Sequence, residues 1–145
     1  MTTIVYDLKS KRIACDGRVT QGDEIITDEA EKRLELDNIE FFFAGDVGSF
    51  KEVAEAFAKK THKIRKGVDA QALAWDGLDL FDLSADKGVL SWHPVVARKG
   101  AIGGGAPYAS VALDNCSTPK QAVLAAIKKH TGTGGKVRCY RLRLR

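Results

Sequence analysis

No apolar run in these 145 residues approaches the ~20 that a membrane-spanning helix needs, and no secretory leader is visible. Membrane insertion is therefore not expected. Cysteine is scarce: Cys15, Cys116 and Cys139 are an odd number, with no metal-like spacing. That argues against a disulfide framework and a zinc site, and for reduced thiols in a cytoplasmic compartment. The densest glycine run, Gly103-Gly104-Gly105, is not followed by Lys-Ser/Thr, so it is not a nucleotide phosphate loop. Internal repeats, linkers and low-complexity segments are also missing. The expectation is one domain over 1–145 with a single core, needing no cofactor and no metal.

What the chain does have is ordinary globular material, 44% hydrophobic and 29% charged, which excludes a disordered chain. The net charge of +4 raises the question of nucleic acid. Much of the excess sits in Lys59, Lys60, Lys63, Arg65 and Lys66, expected at a helix end, where cations complement the helix dipole. The rest sits in Arg138, Arg141, Arg143 and Arg145, alternating with Leu142 and Leu144 as in a strand with one wet face. Both groups have structural roles, so nucleic acid is not an expected partner.

Strand signals dominate the first half. Thr2 to Tyr6 and Arg12 to Cys15 form a hairpin around a polar turn. Glu24 to Thr27, Lys32 to Leu36 and the apolar Ile39 to Ala44 follow, with a loop or short strand at Arg18 to Gly22. Ser49 reads as an N-cap, and Phe50, Val53, Ala54, Phe57 and Ala58 keep helical spacing in a helix expected to reach Lys66. Ala70 to Ala74 is ambiguous between helix and strand. Leu78 to Leu83 and Val89 to Trp92 form a second hairpin around Asp86-Lys87-Gly88. A short strand falls within Val95 to Ile102, and a helix runs from Pro107 to about Asn115. Thr118-Pro119-Lys120-Gln121 is a capping box that starts a helix to about His130. Val137 to Leu144 is the last strand. Hairpins outnumber crossovers, so the class is α+β with mostly antiparallel sheets. Two sheets with helices outside, a four-layer α/β/β/α sandwich, bury this pattern most simply.

Thr2 is the chemically pointed residue. A side chain this small behind the initiator normally allows removal of Met1. Threonine at a free N-terminus holds a hydroxyl nucleophile and, in its α-amine of pKa near ~8, a base. The strand that follows would hold both rigidly.

Thr2-Thr3-Ile4-Val5, Asp16-Gly17 after the second strand, and Lys32 beyond it resemble the proteasome β-type subunits. Phe43-Ala44-Gly45 before a helix and Ile102-Gly103-Gly104-Gly105-Ala106-Pro107-Tyr108-Ala109 late in the chain extend the likeness, which is strongest to the HslV-type peptidase subunit. The family belongs to the N-terminal-nucleophile hydrolases, which share the α/β/β/α sandwich. The resemblance implies that Thr2 is the nucleophile and that Lys32 stabilises charge on its oxygen and keeps the amine neutral. It implies that Asp16 holds Lys32, that the Gly45 N–H stabilises the oxyanion, and that Thr133 helps position the terminus. It also implies a homo-oligomeric ring, peptide or unfolded-protein substrates, and an ATPase unfoldase that would be a separate protein. The S1-like pocket is expected from the region after Thr20 and from Gly45 to Ser49.

Three departures stand out. Gly104 replaces a serine whose hydroxyl contacts the terminal amine. His130 stands near the place of a carboxylate and reads as a helix-end residue. The stretch from Gly67 to Trp75 is too short for the family's second long helix, so that helix layer is expected to be reduced. A catalytically inactive relative of the same fold, or a small-molecule amidase, are the competing readings.

Overall fold

A computed structural model describes residues 2–115 and 117–145. The expected removal of Met1 and the thiol of Cys116 fall outside the described residues. The chain is α+β, with antiparallel sheets and three α-helices among the described residues. It divides into two compact units, one comprising 1–32 and 97–143, the other 33–96 and 144–145. Among the described residues, no helix is long and apolar enough to cross a membrane.

The first unit opens with the expected hairpin, β1 (Thr3–Asp7) and β2 (Arg12–Cys15). A two-stranded ribbon follows, β3 (Val19–Gln21) with β4 (Glu24–Thr27). The unit is completed much later by β10 (Lys99–Gly103), the helices α2 (Ala106–Asp114) and α3 (Pro119–Lys129), and β11 (Arg138–Arg141). Its main sheet has the order β10-β1-β2-β11, so the first hairpin lies between two strands from the far end of the sequence. Alternation along β1 puts Thr3 and Val5 on one face, and Val5 and Ala14 pack there against Ala109, Leu113, Ala122, Val123 and Ala126 of α2 and α3. Ile4, Tyr6, Ile13 and Cys15 on the other face are buried too. The capping box forms as expected: Thr118 Oγ1 accepts from the Gln121 N–H, and the Gln121 side chain accepts from the Thr118 N–H.

The second unit is a meander, β5 (Arg33–Leu36), β6 (Ile39–Gly45), β7 (Ala70–Trp75), β8 (Leu80–Asp86) and β9 (Val89–Pro94), with one helix, α1 (Phe50–Ala58). Val53, Ala54 and Phe57 of α1 cover the face made by Phe41, Phe43, Ala72, Ala74 and Leu83. Phe42, Leu73 and Trp75 on the opposite face are also fully or almost fully buried. A sheet buried on both faces explains why Phe41-Phe42-Phe43 is a continuous apolar run rather than an alternating one. The ambiguous stretch at Ala70 resolves as a strand, because it pairs with β6 and β8 on both edges.

Besides the last strand, which stops at Arg141 rather than Leu144 and leaves Leu144 exposed, two local expectations need correction. The helix that starts at Phe50 ends at Ala58, not near Lys66, and Lys60 is left-handed at φ 56°. The following backbone is taken by the edge of β9: Leu90 N donates to His62 O at 2.7 Å and Ile64 N to Gly88 O at 3.1 Å. His62 also stacks on Trp92, centroids 4.0 Å apart. Tertiary pairing overrides helical spacing here, and Lys63, Arg65 and Lys66 therefore lie beyond the helix end they were expected to complement. Ser49, the expected N-cap, makes no side-chain cap bond. Asp46 caps the preceding 3-10 turn instead, accepting from Gly48 N and from Ser49 Oγ.

These packing relations set a contrast in stability. Phe41 is fully buried, stacked on Phe43 and edge-on to Phe57. Phe41→Ala is expected to cost about 3–5 kcal/mol. Thr118→Ala, which removes one cap, is expected to cost about 1 kcal/mol. Urea unfolding midpoints of the two variants check the order.

Candidate active site

The site is built around Asp16. Pairing of Ile4 with Cys15 in the first hairpin delivers Asp16 beside the start of β1. There Asp16 N donates to Thr3 O at 3.2 Å, and Thr3 N donates to Asp16 Oδ1 at 3.1 Å. Oδ1 also accepts from Lys32 Nζ at 2.7 Å, and Oδ2 from Gly134 N at 3.0 Å. Lys32 Nζ makes a second bond, to Arg18 O at 2.7 Å, so two of its three protons are committed here. The two side chains are 2% and 0% exposed. Burial pulls the Lys32 ammonium below the ordinary lysine value, while the Asp16 charge and hydrogen bond oppose that shift.

Asp16-Gly17 is more than a turn. Gly17 N donates to Gly134 O at 3.0 Å, and Gly17 O accepts from Ala30 N at 2.9 Å. A Cβ on Gly17 would lie 2.6 Å from Asp28 O and 2.7 Å from Lys136 O. Three backbone segments cross at this residue, and a side chain has no room.

Thr2 is buried and immediately precedes β1. The late glycine run packs against this end of the chain. Gly103 has φ +95°, and a Cβ there would overlap the Thr2 carbonyl. A Cβ on Gly105 would overlap the Thr3 hydroxyl. That hydroxyl lies 2.8 Å from Thr133 Oγ1, which in turn lies 2.8 Å from His130 Nδ1. Cys15, next to Asp16, does not compete as a nucleophile: it is buried, and burial pushes its thiol far up. Among the described residues, no three His, Cys, Asp or Glu side chains gather in a way that would hold a metal ion.

The fold thus brings Asp16 and Lys32 into contact, ties Asp16 to the backbone beside Thr2, and links Thr133 to the same strand. Gly45 belongs to the second unit. It ends β6 with an exposed backbone at φ +113°, and a Cβ there would press on Ala70 Cα and Asp69 O at 3.0 Å. His130 is indeed the C-cap of α3, yet its ring is engaged by Thr133. Sequence reasoning missed the Thr3 hydroxyl, the Arg18 carbonyl and the Gly134 N–H. Strand alternation could have found the first, because Thr3 shares the helix-covered face with Val5. Backbone groups of a loop leave no residue-type signature.

A groove of about 800 Å³ opens in the first unit, lined by Arg18, Thr20, Asp23, Ile25, His130 and Thr133 among others. Of the two regions expected to line a pocket, the one after Thr20 contributes to this groove and Gly45 to Ser49 do not. The Arg18 guanidinium is already occupied: it meets Asp28 in a two-point pair at 2.8 and 3.2 Å and donates to Thr131 O at 3.0 Å. Asp28 is held below the usual carboxylate range by this pair.

The Lys32 shift carries a sign that stability measurements can read. A lysine with a lowered folded-state pKa binds fewer protons folded than unfolded in the window below its ordinary value of 10.5. Its contribution to stability therefore rises with pH across that window and is flat below it. Lys32→Met should remove this rise, seen as the difference between the two proteins' unfolding free energies from neutral to alkaline pH. A difference that is flat, or falls with pH, contradicts the lowered value.

No family model and no curated protein matches the chain. Solved structures do. Thiobacillus denitrificans BPH superposes with a TM-score of 0.74 at 18% identity, covering 99% of both chains. The same protein in complex with epoxomicin gives 0.73 at 18% identity, over 99% of this chain and 100% of that one. Eukaryotic HslV from Trypanosoma brucei gives 0.75 at 17% identity, over 96% of this chain and 98% of that one. The fold of this chain is therefore that of HslV and BPH, as the resemblance in its motifs implies.

Proposed function

We propose that the chain is a threonine-type peptidase in which Thr2, exposed as the N-terminus by removal of Met1, is the nucleophile. The observation that carries this reading is the buried Asp16–Lys32 pair hydrogen-bonded to the backbone one residue from Thr2. A buried ion pair is a poor device for stability, since desolvation offsets its attraction. It is a good device for holding an ammonium where negative charge develops.

In this mechanism Thr2 Oγ attacks a peptide carbonyl and its proton passes to the α-amine, directly or through a water. The Lys32 charge stabilises the developing alkoxide and keeps the amine neutral. Gly45 is assigned the oxyanion N–H, on the resemblance and on its exposed positive-φ backbone. The C–N bond breaks, the leaving amine takes up the proton, and an acyl ester remains on Thr2 until water hydrolyses it. The α/β/β/α arrangement, a homo-oligomeric ring, peptide or unfolded-protein substrates and a separate ATPase unfoldase belong to the same proposal. They rest on the fold likeness to HslV and BPH.

One observation favours a second reading, a non-catalytic relative of the same fold. Gly104 lacks the hydroxyl that the resemblance places beside the terminal amine.

Intact-mass spectrometry after incubation with an electrophile that needs both hydroxyl and free amine separates the two readings. Epoxomicin, the compound in the BPH complex, is the first to try. Loss of Met1 and one adduct per chain are expected. Retained Met1, or a processed chain that takes no adduct, supports the non-catalytic reading. Thr2→Ala should abolish activity with the fold intact, and Lys32→Ala should slow it at least ~100-fold. Cleavage of unfolded casein in preference to small amides is expected of a peptidase, and the reverse of an amidase.

A further inference from the structure

The resemblance gives Thr133 a part in positioning the terminus, and the hydrogen-bonded side chains His130–Thr133–Thr3 join the groove to the first strand. His130 lines the groove and leaves α3 as its C-cap. Thr133 N donates to His130 O at 3.1 Å, so a tight turn holds the two residues together. Thr133 is 1% exposed and Thr3 fully buried, so both hydroxyls are shielded from bulk water. Gly105 closes over the Thr3 hydroxyl so tightly that a methyl group would not fit. A hydroxyl has one proton to give and lone pairs to accept with. In a shielded chain of two hydroxyls ending on an imidazole, the imidazole therefore decides which way both protons point.

We propose that His130 is a positioning residue whose protonation reverses the Thr133–Thr3 hydrogen bonds and thereby slows attack by Thr2. With a neutral ring whose Nδ1 accepts, Thr133 donates to His130 and Thr3 donates to Thr133. With a proton on Nδ1, the ring donates to Thr133, Thr133 donates to Thr3, and the Thr3 proton must find another acceptor beside residue 2. The change is delivered to a strand whose backbone N–H, at Thr3, rests on Asp16. Other groups surround the ring. Tyr108 of α2 lies 6.1 Å from it, centroid to centroid. Arg18 and Asp23 line the same groove, with Arg18 held by Asp28, and Lys128 and Lys129 precede His130 in the last turn of α3. Histidine is the side chain that ordinarily changes charge between about pH 5 and 8, and an α-amine ordinarily does so near ~8.

This inference rests on the peptidase reading for its effect on rate, and its structural half can be tested without that reading. The first measurement is a pH titration of the Thr3 and Thr133 methyl groups and the His130 ring by NMR in the wild-type protein. The two methyls are expected to shift together with the ring, and to stop doing so in His130→Asn, which keeps polar groups but cannot titrate. The second is the rate of adduct formation at Thr2 from pH 5 to 9. Wild type should show an acid-side inflection besides that of the amine. His130→Asn should lose the first and keep the second. Thr133→Val should lose the first too, with a rate at high pH lower by roughly two- to tenfold, the scale of one neutral hydrogen bond. Methyls that ignore the ring titration overturn the proposal, as does an acid limb that survives in His130→Asn. Methyls that follow the ring in a protein forming no adduct would leave the relay standing and remove the peptidase reading.

Discussion

The candidate site's portion in the first unit is organised by one carboxylate removed from water. Asp16 accepts from an ammonium, from the N–H that starts β1 and from the N–H of Gly134. A buried carboxylate is costly unless each oxygen is paired, so the groups that pair it cannot wander. The first strand is thereby pinned at residue 3, and a chain terminus that would ordinarily fray becomes a fixed platform. Lys32 is fixed by the same anion and by Arg18 O. Burial draws this lysine toward neutrality and Asp16 holds it charged. The pair is best understood as a means of keeping one positive charge in a dry place.

The glycines answer the same constraint from the other side. Gly17, Gly103 and Gly105 each stand where a Cβ would run into backbone or a hydroxyl of the site. None is there for loop flexibility. Each lets a second chain segment come within contact of the first hairpin: the loops at Asp28 and Lys136 against Gly17, the start of α2 against Thr3. Close approach of this kind replaces side-chain packing where the functional groups themselves occupy the space.

Much of this was legible in the sequence, and the limits have physical causes. Strand and helix identities followed from periodicity and capping, as the Thr118 box shows. The segment after Ala58 misled because its spacing is helical while its hydrogen bonds go to β9, a partner nearly thirty residues on that no local pattern reveals. Asp16, Lys32 and Thr133 were readable through their motif order. The reach of the His130 ring was not, because histidine at a helix end also suits the dipole. The Arg18 and Gly134 backbone groups were invisible for a simpler reason: an amide looks the same at every residue.

The strand order β10-β1-β2-β11 carries a consequence for timing. The hydrogen bond from Gly134 to Asp16 spans 118 residues, and that between Thr3 and Thr133 spans 130. Such closures are slow, because loop entropy is lost before contacts repay it. Synthesis runs from the N-terminus, so Thr2 emerges from the ribosome long before the segments that frame it exist. Until residues near 134 have emerged and docked, Asp16 lacks one partner and the first sheet lacks β11. A chain built this way completes the surroundings of its first strand only in the last stage of folding.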